Sequence, residues 1–151
     1  MNGFTDGPGL SIAVLPAEEA LDFEFYRARL ADASVLRWSV AISVFRAPLL
    51  AVAVGGPRRG GYFPVSTLAL SLVVRDLLAV RPGFPDARLL GSASPDGCHN
   101  VEWGARRPRT RDPAVCGRFY GYSKSAIVAQ LLQTAAAGAP SPLDSQTWSS
   151  A

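Results

Sequence analysis

The sequence predicts an α+β fold. The expected architecture is a mostly antiparallel sheet of four to five strands, built from hairpins, with three helices, in the order α-β-β-α-β-β-(β)-α. Three observations lead there. Apolar residues alternate on both sides of Pro48 in "WSVAISVFRAPLLAVAVGG", the pattern of two strands joined by a tight turn near 46–48. The turn signal "SPDG" separates two short strand candidates, "ARLLGSA" and "CHNVEWG". Three further segments carry helical periodicity with start or stop signals. The chain has 151 residues, 48% hydrophobic and 18% charged, enough for one domain with a real core. That domain is expected over 12–137, between a flexible N-terminus (1–11) and a disordered tail (138–151).

Taken in order, the first helix is expected over 16–32. Pro16 suits a first helical turn, Glu18, Glu19 and Asp22 sit near the positive end of the helix dipole, and Phe23, Tyr26 and Leu30 form one face. The hairpin follows, with Trp38, Val40, Ile42 and Val44 alternating before the turn and Leu50, Val52 and Val54 after it. "GGPRRGGYFP" reads as a loop leading to a second helix over 67–80, capped by Ser66 or Thr67 and apolar nearly all round, hence buried on more than one side. The strand pair 87–104 comes next, then the polar loop "ARRPRTRDP". "GRFYGY" is a further strand candidate, and a last helix over 124–137 starts at a Ser123 cap and stops at Gly138 and Pro140.

Composition narrows the function classes. No apolar run approaches the roughly 18 residues of a membrane span, and "MNGFTDGPGLSIAVLP" lacks the basic region of a signal peptide, so a cytoplasmic location is expected. Charge is unevenly spread. Residues 1–36 hold six acids against Arg27 and Arg29, whereas 37–124 hold thirteen basic against five acidic groups, a net of +8. Either the basic part attracts a phosphate-bearing or acidic partner, or the acidic first helix packs beside it and neutralises it. Cys98, Cys116 and His99 are one ligand short of a structural zinc site, so neither a metal nor a cofactor is expected, and the two cysteines are expected as free thiols. If "CHNVEWG" is a strand, Cys98, Asn100 and Glu102 face one way and His99, Val101 and Trp103 the other. Cys98 and His99 then make no nucleophile–base pair, while Asn100 and Glu102 form a polar pair on one face.

Two basic loops are the candidate anion- or partner-binding site: Arg58, Arg59, Gly60 and Gly61 in the first, and Arg106, Arg107, Arg109 and Arg111 in the second. The first is neither a Walker loop nor a dinucleotide loop. Gly55 and Gly60 have the Walker glycine spacing, but Gly61 and Tyr62 stand where Lys and Ser/Thr belong. Over about ten residues it resembles the acetyl-CoA-binding loop of GNAT-type acetyltransferases. Arg58 and Gly61 fall on two of that motif's positions, Phe63 replaces its small residue, and Pro64 removes an amide donor.

The segments "FEFYRARLAD", "VFRAPLLAVAVGGPRRGGY", "LVVRDLLAVRPGFPD", "VEWG" and "GRFYGYS" together resemble an uncharacterised actinobacterial (Streptomyces-type) domain family of unknown function, over about residues 17–130. The resemblance implies a bacterial cytoplasmic setting and GC-rich codon usage behind the 14 Arg against one Lys. It brings no activity and no site residue. Three readings therefore stand side by side. The leading one is a non-enzymatic binding or regulatory module that meets nucleic acid or an acidic protein through its Arg loops. The second is a CoA- or nucleotide-phosphate-binding enzyme using the 55–61 loop. The third is a protein-interaction domain pairing through a sheet edge.

Overall fold

Period-two patterning produces two small antiparallel sheets rather than one. The computed structural model describes residues 12–45, 47–90 and 99–137; the expected flexible N-terminus, the "SPDG" turn with Cys98, and the expected disordered tail lie outside the described residues. The first sheet has the order β1-β2-β3, with β1 at Ile12–Pro16, β2 at Val40–Val44 and β3 at Leu49–Ala51. The β2–β3 hairpin is the expected one, with Ile42 opposite Leu49 and Val40 opposite Ala51. Its turn opens with Phe45 in a left-handed conformation (φ 59°), and Arg46 lies outside the described residues. β1 was not expected: the Pro16 helix signal masks a short "IAVLP" strand that runs along β2, Val14 opposite Ile42.

The second sheet has the order β4-β6-β5, from Gly60–Val65, Arg88–Leu90 and His99–Gly104. The β5–β6 pair is as expected. β4 corrects the reading of "GGYFP" as loop. Gly60 and Gly61 lie opposite Gly104 and Trp103 in the ladder, and Pro64 is tolerated because β4 is an edge strand.

Two of the three expected helices form with their caps. α2 spans Leu68–Ala79, with the Thr67 hydroxyl accepting from the Leu70 amide at 3.2 Å. The last helix spans Lys124–Ala137, and the Ser123 hydroxyl accepts from the Ala126 amide at 3.1 Å. The first expected helix, 16–32, breaks into a 3-10 turn at Ala17–Glu19 and a short α1 at Phe23–Arg29, and a second 3-10 turn at Ala33–Arg37 follows beyond it. The cause is tertiary. The Asp22 carboxylate accepts from the Leu50 amide at 2.8 Å and the Leu21 amide donates to the Pro48 carbonyl at 2.9 Å, which ties this segment to the open edge of β3. Burial raises the Asp22 carboxyl above its usual range, and the Leu50 hydrogen bond offsets part of the shift.

The strand expected at "GRFYGY" is also corrected. Asp112 and Pro113 start a helix, α3, at Pro113–Phe119, the Asp112 side chain accepting from the Ala114 amide at 3.0 Å. Only the isolated Leu30–Tyr122 bridge survives of that strand pattern. The Lys124–Ala137 helix is therefore α4.

One core joins both sheets. Ile12, Val40, Ile42 and Ala51 of the first sheet meet Phe63, Val65, Val101 and Trp103 of the second, together with Leu70, Val74 and Leu78 of α2. The Phe84 and Trp103 rings pack edge to face at 5.0 Å. On the far side of the first sheet, Ala41, Leu50 and Val52 pack under Leu30, Val35 and Leu36. The remaining face of the second sheet carries Tyr62, Glu102 and Arg88, which sit opposite one another across β4, β6 and β5. That face carries the candidate site.

Candidate anion-binding site

The two basic loops go to different places. Arg58 is buried, with 6% of its surface exposed. Its guanidinium donates through Nε to the Val52 carbonyl at 3.3 Å and through Nη1 to the Tyr120 carbonyl at 2.9 Å. No carboxylate among the described residues pairs with it. The groups acting on its charge are Tyr122, Tyr26, Tyr120 and Tyr62. Tyr26 and Tyr122 stack at 6.5 Å, and the Arg58 guanidinium carbon lies 5.7 Å from the centre of the Tyr120 ring, within cation–π range. Burial lowers the Arg58 pKa and the tyrosines offset part of that; a guanidinium starts so high that it keeps its charge at neutral pH. Burial in turn pushes Tyr26 and Tyr120 up to about 12.

The rest of the first loop is equally committed. The Gly55 and Arg58 amides exchange hydrogen bonds with each other's carbonyls, and the Arg59 amide donates to the Phe119 carbonyl. These are the donors a phosphate cradle would have needed. Gly60 and Gly61 are buried in β4. A Cβ on Gly61 would stand 2.5 Å from the Trp103 indole nitrogen and 2.7 Å from Arg58 Nη2, so this glycine lets the buried arginine lie against the strand. Of the four first-loop residues expected at a site, only Arg59 is exposed.

The second loop lines a cavity. Arg106, Arg107, Arg109 and Arg111, with Pro108 and Thr110 between them, line an open cavity of about 570 Å³ together with Glu102 and Leu90. Arg106, Arg109 and Arg111 are exposed, and Arg107 is half-buried and close enough to draw down the Tyr120 hydroxyl pKa against the effect of burial.

The loop is held at both ends. At its start, Arg88 Nη1 donates to the Gly104 carbonyl at 2.9 Å, Arg88 Nη2 to the Ala105 carbonyl at 3.3 Å, and the Ala105 amide to the Arg59 carbonyl at 2.9 Å. At its end, the Thr110 hydroxyl accepts from the Asp112 amide at 3.1 Å, and the Cys116 thiol, on α3, donates to the Thr110 carbonyl at 3.6 Å. Arg88 also pairs with Glu102 at 3.3 Å and with Asp86 at 3.1 Å. A loop fixed in this way presents its guanidinium groups without first having to be ordered.

The expected polar pair on β6 is partly realised: Glu102 lines the cavity, while Asn100 Oδ1 is buried without a hydrogen-bond partner. Arg88 is the residue that sequence reasoning missed. Its signal was present in the hairpin register, which puts a basic side chain opposite Glu102.

Arg58 is thus wrapped in tyrosines, apart from the arginines of the second loop, which rim a pocket of the size that small ligands occupy. Among the described residues, no helix is long and apolar enough to cross a membrane. A family model described as a family of unknown function, DUF6302, matches residues 14–151. Comparison with curated proteins and with solved structures finds no match.

Proposed function

Since the chain belongs to the DUF6302 family, whose function is unknown, its role has to be read from its site, and we propose that it is an anion-binding module. The anionic group of its partner enters the cavity rimmed by Arg106, Arg107, Arg109 and Arg111. The observation that carries this reading is the convergence of four arginines on one cavity of about 570 Å³. Guanidinium forks match phosphate and carboxylate oxygens two at a time, and a cluster of like charges around one concavity raises the local concentration of anions. Nucleic acid and acidic protein, the partners suggested by the basic centre of the sequence, remain in scope where they insert a phosphate or a carboxylate into that concavity. Arg58, Gly60 and Gly61 take no part, because they are buried; Arg59 is exposed and contributes at most from outside the cavity.

Calorimetric titration of the full chain with pyrophosphate, and with short single-stranded DNA and RNA, tests this at low salt and again as salt is raised. Binding that weakens steeply with salt, and that falls about tenfold or more in the Arg106→Ala/Arg109→Ala double variant, is expected. Absence of binding to all three ligands at low salt, or binding unchanged in the double variant, overturns it.

A further inference from the structure

Resting on that reading, we propose that the ligand is a phosphate ester of a hydroxyl-bearing sugar, with its phosphate on the arginines and its hydroxyls on Glu102. The argument starts from a misfit. A site meant for a bare anion gains nothing from a carboxylate in its wall, because like charge repels the ligand. Yet Glu102 lines the cavity beside four arginines, and its side chain is only 9% exposed.

Charge balance for Arg88 does not by itself require Glu102. Arg88 is also held by the Asp86 carboxylate at 3.1 Å and by the carbonyls of Asp86, Gly104 and Ala105. Glu102 meets Arg88 through Oε1. Among the described residues no donor meets its Oε2, and that atom is not one of the fully buried unpartnered ones. Glu102 is one of the residues that line the cavity, so the carboxylate oxygen not taken by Arg88 is the acceptor the proposal assigns to the ligand.

A carboxylate accepts strongly from hydroxyl donors, and adjacent sugar hydroxyls can present two such donors. Leu90, 43% exposed, supplies an apolar wall on the same side for the carbon face of a sugar ring. Arginines, carboxylate and Leu90 together make a site with two different ends: cationic toward the 106–111 loop, and acceptor plus apolar toward the sheet. Bare phosphate satisfies only the first end. A sugar phosphate, free or as part of a mononucleotide, satisfies both, and it fits within about 570 Å³.

The test compares methyl phosphate, ribose 5-phosphate and a ribose mononucleotide, titrated calorimetrically against the full chain at low salt. The two sugar phosphates are expected to bind about ten- to a hundredfold tighter than methyl phosphate, the range for hydrogen bonds to a charged group. In Glu102→Gln, checked for folding by its melting curve, that advantage is expected to shrink about tenfold while methyl phosphate binds no more weakly. Equal binding of methyl phosphate and ribose 5-phosphate by the unaltered protein overturns the proposal and leaves the arginine site standing, a result that needs no variant. An advantage that survives in a folded Glu102→Gln protein also overturns it. Failure of all three esters, and of pyrophosphate and single-stranded DNA and RNA, to bind overturns the arginine site itself. Binding only when the phosphates belong to a polynucleotide overturns the sugar phosphate in favour of a nucleic-acid strand.

Discussion

Arg58 and the arginines of the 106–111 loop are the same side chain put to opposite uses. Arg58 sits inside a box of four tyrosines, with its guanidinium given to two backbone carbonyls. Arg106, Arg109 and Arg111 stand exposed around a cavity. In the sequence the two groups look alike, as basic residues among glycines and prolines. What separates them is what packs above them. α3 and the turn at 120–122 fold over the first loop, so its cation becomes a strut between the Val52 and Tyr120 carbonyls. In the second loop Arg106, Arg109 and Arg111 stay exposed. A cluster of arginines therefore carries no functional meaning until the segment that covers it is known.

The contrast is broken most sharply at Arg58. Arg58→Ala removes the donor to the Tyr120 carbonyl and empties the tyrosine box, and is expected to cost about 2–5 kcal/mol in a urea titration. A loss below about 1 kcal/mol would mean that the box collapses without it. High pH attacks the same box from the other side. Tyr26 and Tyr120 hold their protons up to about 12 in the folded chain, against about 10 for an exposed tyrosine. Between those values the unfolded chain releases protons that the folded one keeps, so stability is full below about pH 10 and falls as pH rises toward 12. Phenolate absorbance is expected to appear together with unfolding; appearance well before unfolding would contradict the buried box.

A smaller effect is expected at Gly121, which sits at φ +80° with its missing Cβ 2.6 Å from that of Arg58. Gly121→Ala combines backbone strain with that collision, for about 1–3 kcal/mol by thermal or urea unfolding. The smallest stability effect belongs to the other region. Arg106→Ala and Arg109→Ala are expected to change unfolding free energy by about 0.5 kcal/mol or less, since both are exposed. On the proposed reading, their effect is expected on binding instead. Substantial destabilisation from either would make the second loop structural as well.

The parts of the fold legible in the sequence are those decided locally. The β2–β3 hairpin, α2 and α4 follow from alternation, Thr67 and Ser123. The parts that escaped are decided by distant partners. The first helix breaks because Asp22 is worth more on the Leu50 amide than in a helix turn, and Leu50 is 28 residues away. "GRFYGY" alternates like a strand, but the Asp112–Pro113 start signal reaches Phe119 first, and one bridge to Leu30 is what remains. At the site, the basic 106–111 loop was visible as composition. Its cavity was not, because that depends on Arg88 reaching from β5 to carbonyls sixteen and seventeen residues further along the chain. The burial of Arg58 was invisible for the same reason: its carbonyl acceptor lies on Tyr120, 62 residues away.

Arg59 stands between the two regions. Its amide is spent on Phe119 and its carbonyl on Ala105, one residue before the pocket loop begins. That pair of bonds is a short mechanical linkage from the tyrosine box to the cavity wall. Amide hydrogen exchange at Arg59 and Ala105 should thus report on both. A ligand gripped by the loop should slow exchange at these two amides, and any loosening of the box should quicken it, although neither amide need touch the ligand.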